Sequence, residues 1–278
     1  MYEAFYQLKE KPFSILPDPD LIYWGRMHTM AFTMLEFGVM TNAGFTVITG
    51  EIGAGKTTML RHLLRRITPG VNVGMIATSP QGRHELLQWA LMALEQPFDG
   101  DYAVLFKRLQ DYLYGQYAAG RRTILIFDEA QNLEPDALEH LRMLSNINAD
   151  KFQILQLILV GQPQLRDLLR EPRLHQFAQR ISSDFHLRPL DHREVASYID
   201  FRLQAVGASR PLFTEEACGL VAAASGGVPR MINVLCDTAL VYGFAGSIPV
   251  IAGDIMREVI SDKRQYSIFP VKDVSRAS

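Results

Sequence analysis

Phe45-Thr46-Val47-Ile48-Thr49-Gly50-Glu51-Ile52-Gly53-Ala54-Gly55-Lys56-Thr57-Thr58 decides the fold. Its first five residues are apolar or β-branched, the composition of a buried strand. Residues 50–57 then satisfy G-x-x-x-x-G-K-[ST] in full, the pattern of a phosphate-binding loop. Glycines let the backbone turn tightly around a phosphate and aim N–H groups at it. A helix opening at Lys56 adds the positive end of its dipole. Gly50, Glu51, Ile52, Gly53, Ala54 and Gly55 would wrap the phosphates, with Thr58 in the helix's first turn. Lys56 would reach the β- and γ-phosphates, and the Thr57 hydroxyl would ligate Mg²⁺. A chance Gly-rich turn would lack the strand before it and the helix after it. The expected ligands are therefore ATP and Mg²⁺. ATP is preferred over GTP because the base-reading Asn-Lys-x-Asp of GTPases is absent.

Downstream, residues 71–77, 123–127 and 154–160 read as further strands. Continuous apolar runs of this kind fit strands buried on both faces of a parallel sheet. Helical patterns fall at 27–40, 56–67, 82–94, 102–117, 134–146, 164–169 and 173–181, and a short strand at 185–187 closes the sheet. Strands alternating with helices predict an α/β P-loop core with a parallel five-stranded sheet flanked by helices. From Asp191 the pattern is entirely helical, with helices at 191–206, 214–224, 229–243 and 252–261, a small all-helical lid domain. Asp191 and Thr214 look like N-caps, each followed by Glu in the first turn. The expected division is an extended N-terminal lead-in over 1–25, the core over 26–190, the lid over 191–262 and a tail over 263–278. Pro12, Pro17 and Pro19 oppose a helix in the lead-in, which should pack through Phe5, Phe13 and Tyr23.

Ile124-Leu125-Ile126-Phe127-Asp128-Glu129 is an apolar strand ending in two acids. Behind a P-loop, Asp128 is placed to hold Mg²⁺ and Glu129 to polarise the attacking water. Two solvated acids are the bland alternative; a full P-loop with one strand between makes it the weaker one. That intervening strand predicts the Walker B arrangement of ATPases with an extra sheet strand. Gln162, at the end of the fourth strand, is a candidate sensor of the γ-phosphate, against the alternative of a plain turn before Pro163. Arg173 and Arg180 flank a predicted helix, where an arginine could reach a neighbouring subunit's nucleotide or form a surface ion pair; Arg180 is the preferred finger. Gly226-Gly227-Val228-Pro229-Arg230 ends one lid helix and opens the next. A cation at a helix start opposes the dipole, so Arg230 is read as reaching the γ-phosphate.

Hydrophobic residues at 48% and charged residues at 21% describe an ordinary globular chain. A formal net charge of −2 lacks the basic excess of a dedicated nucleic-acid binder. The arginines within 61–66 and at 121–122 read as solvated surface. Cys218 and Cys236 form no disulfide framework or metal motif and read as buried hydrophobes in a reducing compartment. The seven histidines show no ligand spacing, and Trp24 and Trp89 read as core. The start lacks a signal-peptide pattern. The uncharged run 238–253 is broken by Gly and Pro, so no membrane span is expected.

These motifs, in this order, resemble those of AAA+ ATPases. The resemblance is closer to the ExeA family, also called general secretion pathway protein A. It is carried by Met1-Tyr2-Glu3-Ala4-Phe5, Lys11-Pro12-Phe13, Pro17-Asp18-Pro19, residues 50–58, Phe127-Asp128-Glu129-Ala130-Gln131, Gly161-Gln162-Pro163 and Leu187-Arg188-Pro189-Leu190. It covers residues 1 to about 262. The resemblance implies a helical lid, Gln162 as sensor 1, a finger at Arg180 acting in trans, Arg230 as sensor 2, and assembly into a ring or filament. It also implies service to a cell-envelope system (secretion, pilus or polysaccharide export) through a cell-envelope assembly protein, in the cytoplasm or at the inner membrane. Secretion-type members often continue into a membrane helix and a peptidoglycan-binding domain, so this chain is expected to be a cytosolic fragment or a shorter branch. Two alternatives follow: a DNA-associated regulator of transposition, with duplex DNA and transposition proteins as partners, and a slow nucleotide-dependent switch.

Overall fold

The computed structural model describes residues 1–266 apart from 17, 19–20, 68–69, 79 and 150–151. Five parallel strands form its main sheet: β1 (Phe45–Gly50), β2 (Val71–Ile76), β3 (Arg122–Phe127), β4 (Leu155–Gly161) and β5 (Ile181–Leu187), in the order β2-β3-β4-β1-β5. β4 lies between β1 and β3, with Phe45 opposite Leu157 and Thr123 opposite Leu155. The extra strand expected between the P-loop strand and the acidic strand is therefore present. A two-residue antiparallel pair, Asn148–Ala149 with Phe152–Gln153, precedes β4.

Burial follows position in the sheet. β1 and β4 are buried along their whole length and β3 from its second residue, while the edge strands β2 and β5 are only partly covered. Interior strands must be apolar on both faces, which is why they were legible as apolar runs. β5 reads Ile-Ser-Ser-Asp-Phe-His-Leu and runs seven residues, from 181 rather than 185. An edge strand tolerates polar residues, so its first half carries no apolar signal. The helix expected over 173–181 is correspondingly shorter: a 3₁₀ turn Pro172–Leu174, a helix His175–Ala178, then strand from Ile181, which pairs with Phe45.

The chain forms two compact units. One comprises Met30–Gly50 and Leu60–Leu187, the sheet and its helices; the other comprises Met1–Thr29, Glu51–Met59 and the chain from Arg188 on. In the sheet unit, Leu86, Leu105, Leu125, Leu138, Leu157 and Phe177 are among the fully buried side chains, each contributing about 1.5–3 kcal/mol by leaving water. Arg122 Nη1 donates to the Val39 carbonyl and Asn42 Oδ1, both at 2.8 Å, and Arg66 lies over the Phe32 ring. Those two arginines of the basic clusters thus serve the fold.

In the second unit the helices are His192–Ala205, Glu215–Ser225, Pro229–Ala245 and Gly253–Tyr266. The Asp191 side chain accepts from the Arg193 and Glu194 amides, and the Glu194 side chain accepts from the Asp191 amide, a complete capping box; Thr214 caps its own helix. The last helix runs to Tyr266, past the tail boundary expected at 263; residues 267–278 lie outside the described residues.

The N-terminal segment is not wholly extended. Tyr2–Tyr6 is helical and stops at Gln7, which adopts a left-handed φ of 59°. Tyr2 and Tyr6 are buried, as is Phe13; Phe5 is partly exposed yet packs edge-on against Phe244 at 5.8 Å. Pro12 stands clear of the helix, and Pro17 and Pro19 lie outside the described residues. Phe13 meets Phe213 edge-on at 6.0 Å, and Tyr23 meets Tyr198 at 5.8 Å. Backbone carbonyls of the segment cap side chains of the helices: Pro12 accepts from Arg202 Nε at 2.7 Å and Ser14 from Asn233 Nδ2 at 3.0 Å. Cys218 and Cys236 are buried in the same unit, and burial pushes both thiols up, Cys218 to about 11.

Candidate functional site

Because all five strands are parallel, Gly50, Asp128 and Gln162 stand at or just past one edge of the sheet, the C-terminal ends of β1, β3 and β4. Open α/β sheets bind ligands outside such an edge.

The loop after β1 takes the conformation its glycines allow. Gly53 and Gly55 have φ of 80° and 97°, the left-handed region that costs other residues about 1–2 kcal/mol. A β-carbon on Gly53 would also lie 2.4 Å from the Arg230 β-carbon. The helix Lys56–Arg66 opens directly after the loop, with Thr57 and Thr58 half-buried in its first turn. Lys56 is only 6% exposed, and its Nζ donates to the Glu51 carbonyl at 2.9 Å. The Ala54 amide donates to the same carbonyl at 3.1 Å. Ile52 is exposed.

Two further residues hold this loop. The Arg230 amide, in the first turn of Pro229–Ala245, donates to the Gly53 carbonyl at 3.2 Å. The entry to that helix is tight: Gly226 and Gly227 have φ of 59° and 75°, and a β-carbon on Gly227 would fall 1.9 Å from the Leu190 carbonyl oxygen. The Arg230 side chain is exposed. His28 Nε2 lies 3.0 Å from the Ala54 carbonyl, so the ring carries its proton on Nε2. Burial pushes the His28 imidazole below the usual histidine range, partly offset by that carbonyl and the Glu194 carboxylate. The sequence assigns His28 no role, because a lone histidine outside any motif offers no signal.

At the other strand ends, Asp128 is 7% exposed, and its amide donates to the Ile76 carbonyl at 2.9 Å, extending the β2–β3 ladder by one bond. Asp128 Oδ1 accepts from the Glu129 amide at 3.0 Å. Glu129 adopts a left-handed φ of 55° and ψ of 37°. Its Oε2 accepts from Gln131 Nε2 at 2.7 Å and from Gln162 Nε2 at 3.0 Å, and Gln131 Oε1 accepts from the Gln162 amide at 2.9 Å. Glu129, Gln131 and Gln162 thus close a ring of hydrogen bonds. In the sequence Gln131 is only one member of a motif, because nothing local tells an amide that binds two elements from a surface amide.

Arg180 is exposed at the turn before β5 and makes no side-chain hydrogen bond or ion pair among the described residues, whereas Arg173 pairs with Glu171 at 2.6 Å. The residues suit the groups a P-loop implies: Gly53 and Gly55 shape an amide nest for phosphate, and the Asp128 carboxylate and Thr57 hydroxyl are hard oxygen donors of the kind Mg²⁺ takes beside phosphate oxygens. Among the described residues no helix is long and apolar enough to cross a membrane.

An AAA domain is matched over residues 39–169. General secretion pathway protein A of Aeromonas hydrophila is 41% identical over 258 residues, 92% of this chain. The chain belongs with the ExeA-like AAA+ ATPases. It spans 47% of that relative's length. Solved structures agree on the fold. Cdc6p from Pyrobaculum aerophilum superposes with a TM-score of 0.66 at 16% identity, covering 92% of this chain and 70% of that one. Drosophila ORC, solved bound to DNA, gives 0.68 at 16% identity over 95% and 66%. Aeropyrum pernix ORC2, in ADPNP–ADP complexes, gives 0.62 at 18% identity over 84% and 66%. The ExeA-like AAA+ core is therefore a P-loop sheet with a helical C-terminal region.

Proposed function

We propose that this ExeA-like chain binds and hydrolyses ATP with Mg²⁺ to drive its own assembly, in the service of a cell-envelope system. The carrying observation is the carboxylate of Glu129, oriented by two amides just past the end of β3. A general base must be aimed before it is useful, and such aiming is unneeded in a solvated surface acid.

The roles follow from the motifs. Gly50, Glu51, Ile52, Gly53, Ala54, Gly55 and Lys56 bind the phosphates, with Thr57 and Thr58 opening the helix behind them. Thr57 and Asp128 hold Mg²⁺, which when bound neutralises charge on the phosphate oxygens. Glu129 takes the proton of the attacking water. Gln162 senses the γ-phosphate, Arg230 reaches it from the helical lid, and Arg180 supplies the finger to a neighbouring copy in a ring or filament. The core spans 26–190 and the lid 191–262. Arg180, exposed and without a partner among the described residues, suits a finger better than Arg173, already paired with Glu171. The envelope role, with an assembly protein as partner and a cytoplasmic place at the inner membrane, is supported by the relative named for general secretion.

ATPase turnover against protein concentration, with and without duplex DNA, tests the reading. A rate per subunit that climbs with concentration and ignores DNA is the expected result. Turnover that requires DNA would replace it with the DNA-associated regulator of transposition. A slow rate independent of concentration would indicate a nucleotide switch.

A further inference from the structure

We propose that Gln131 is a positioning residue for hydrolysis, joining Gln162 to Glu129 so that nucleotide sensing and water activation are mechanically one unit. The proposal rests on reading Glu129 as the base.

Three separate elements meet at this amide. Glu129 follows β3, Gln131 sits in the 3₁₀ turn Ala130–Asn132, and Gln162 caps the helix Pro163–Leu169 after β4. The amide's orientation is dictated by its partners. The Gln162 amide N–H can only donate, so it requires Gln131 Oε1. Gln131 Nε2 then faces Glu129 Oε2, which as a carboxylate oxygen accepts. Neither a carboxylate nor an apolar side chain of the same length serves both partners. Gln162 closes the ring with its own Nε2 on the same Oε2. A displacement of Gln162 therefore pulls on Glu129 twice, once directly and once through Gln131.

Two backbone features fit this role. Glu129 holds a left-handed conformation, and a non-glycine residue persists there only when its surroundings over-determine it. The Gln131 bond is one such determinant, two residues along the chain. Gly161, just before Gln162, has no side chain to spare: a β-carbon there would stand 2.8 Å from Gln131 Oε1. The glycine thus leaves the space that the bridging amide occupies.

The test measures steady-state ATPase kinetics and the affinity of a fluorescent ATP analogue for the full chain, wild type, Gln131→Met and Gln131→Glu. Loss of aim predicts a kcat about 10–100-fold lower, the scale of a misplaced reacting group, with KM and analogue affinity within twofold of wild type. Single-turnover rates complete a cycle with Glu129→Gln: added to that variant, either change at 131 should have no further effect, because Gln131 acts only through Glu129. A general structural role would lower both backgrounds alike and so overturn the proposal. Wild-type kcat in either folded variant would overturn it as well. Gln131→Glu, near-isosteric and polar, decides the matter if the methionine variant fails to fold. A wild-type chain that binds the analogue without hydrolysing it would remove the reading of Glu129, and this proposal with it.

Discussion

Around Gly53 four polar contacts end on backbone carbonyls: the Arg230 amide on the Gly53 carbonyl, His28 on the Ala54 carbonyl, and the Ala54 amide and Lys56 Nζ on the Glu51 carbonyl. Around Glu129 three contacts end on side-chain oxygens: the Gln131 and Gln162 side-chain amides on one carboxylate oxygen, and the Gln162 backbone amide on Gln131 Oε1. Backbone carbonyls are present whatever the residue, so the first region depends on conformation, hence on glycine at 53 and 55. The second depends on the chemical identity of each side chain. The two regions should therefore respond to substitution in different ways.

The largest expected effect removes the buried cation of the first region. Lys56→Ala should weaken ATP binding by about 10²–10⁴-fold, the scale of removing one partner of a buried charge pair, measured by titration with a fluorescent analogue. Retained tight affinity would refute the P-loop assignment. Glu129→Gln should leave that affinity in place, lower kcat by roughly 10²–10³-fold and prolong nucleotide-bound assemblies seen by light scattering; normal turnover would exclude Glu129 as the base.

The next effect is conformational. Gly227→Ala places a β-carbon against the Leu190 carbonyl oxygen at a φ of 75°, and should cost about 2–4 kcal/mol from overpacking and left-handed strain together. Gly120→Ala, at a φ of 72° with open space around it, should cost only the strain, about 1–2 kcal/mol. Denaturant midpoints compare the two; equal losses would show that the close approach at Leu190 is relieved cheaply.

The smallest effect is a pH slope. His28 titrates below its unfolded value because it is buried. As pH falls below about 6.5 the unfolded chain takes up the proton first, so the stability contribution is full above that value and declines toward the lower folded one. Burial likewise lowers His140, in the sheet unit. Replacing His28 with Gln, which can still donate to the Ala54 carbonyl, should flatten the acid decline in melting temperature and leave the neutral value nearly unchanged. An unaltered slope would put the sensitivity elsewhere, with His140 the next to vary.

Legibility tracked the same division. Residues 50–57 could be read from their spacing because the tight turn of this loop is written in local dihedral needs. The partners of that loop could not. His28 lies 26 residues before Ala54 and Arg230 lies 177 after Gly53, and no periodicity links them. The place of Arg230 at a helix start is legible from Pro229 beside it, whereas its backbone bond to Gly53 is not. Gln131 had no signal of its own.

Local features follow from neighbours along the chain. The glycines of the P-loop, the capping box of Asp191 and Glu194, and the apolar runs of β1, β3 and β4 all carry their own physical requirement, left-handed φ, unsatisfied helix amides or burial on both faces. Features that depend on which strands and helices lie together come from the folded arrangement. It made a polar segment, residues 181–184, into the start of an edge strand, because β1 offers a free ladder and an edge needs no second apolar face. It turned the proline-bearing N-terminus into a cap on the helical unit, because Arg202 and Asn233 there need carbonyls to satisfy them. And it brought Gln131 between Glu129 and Gln162, because β3 and β4 are adjacent in space though 27 residues separate the end of one from the start of the other.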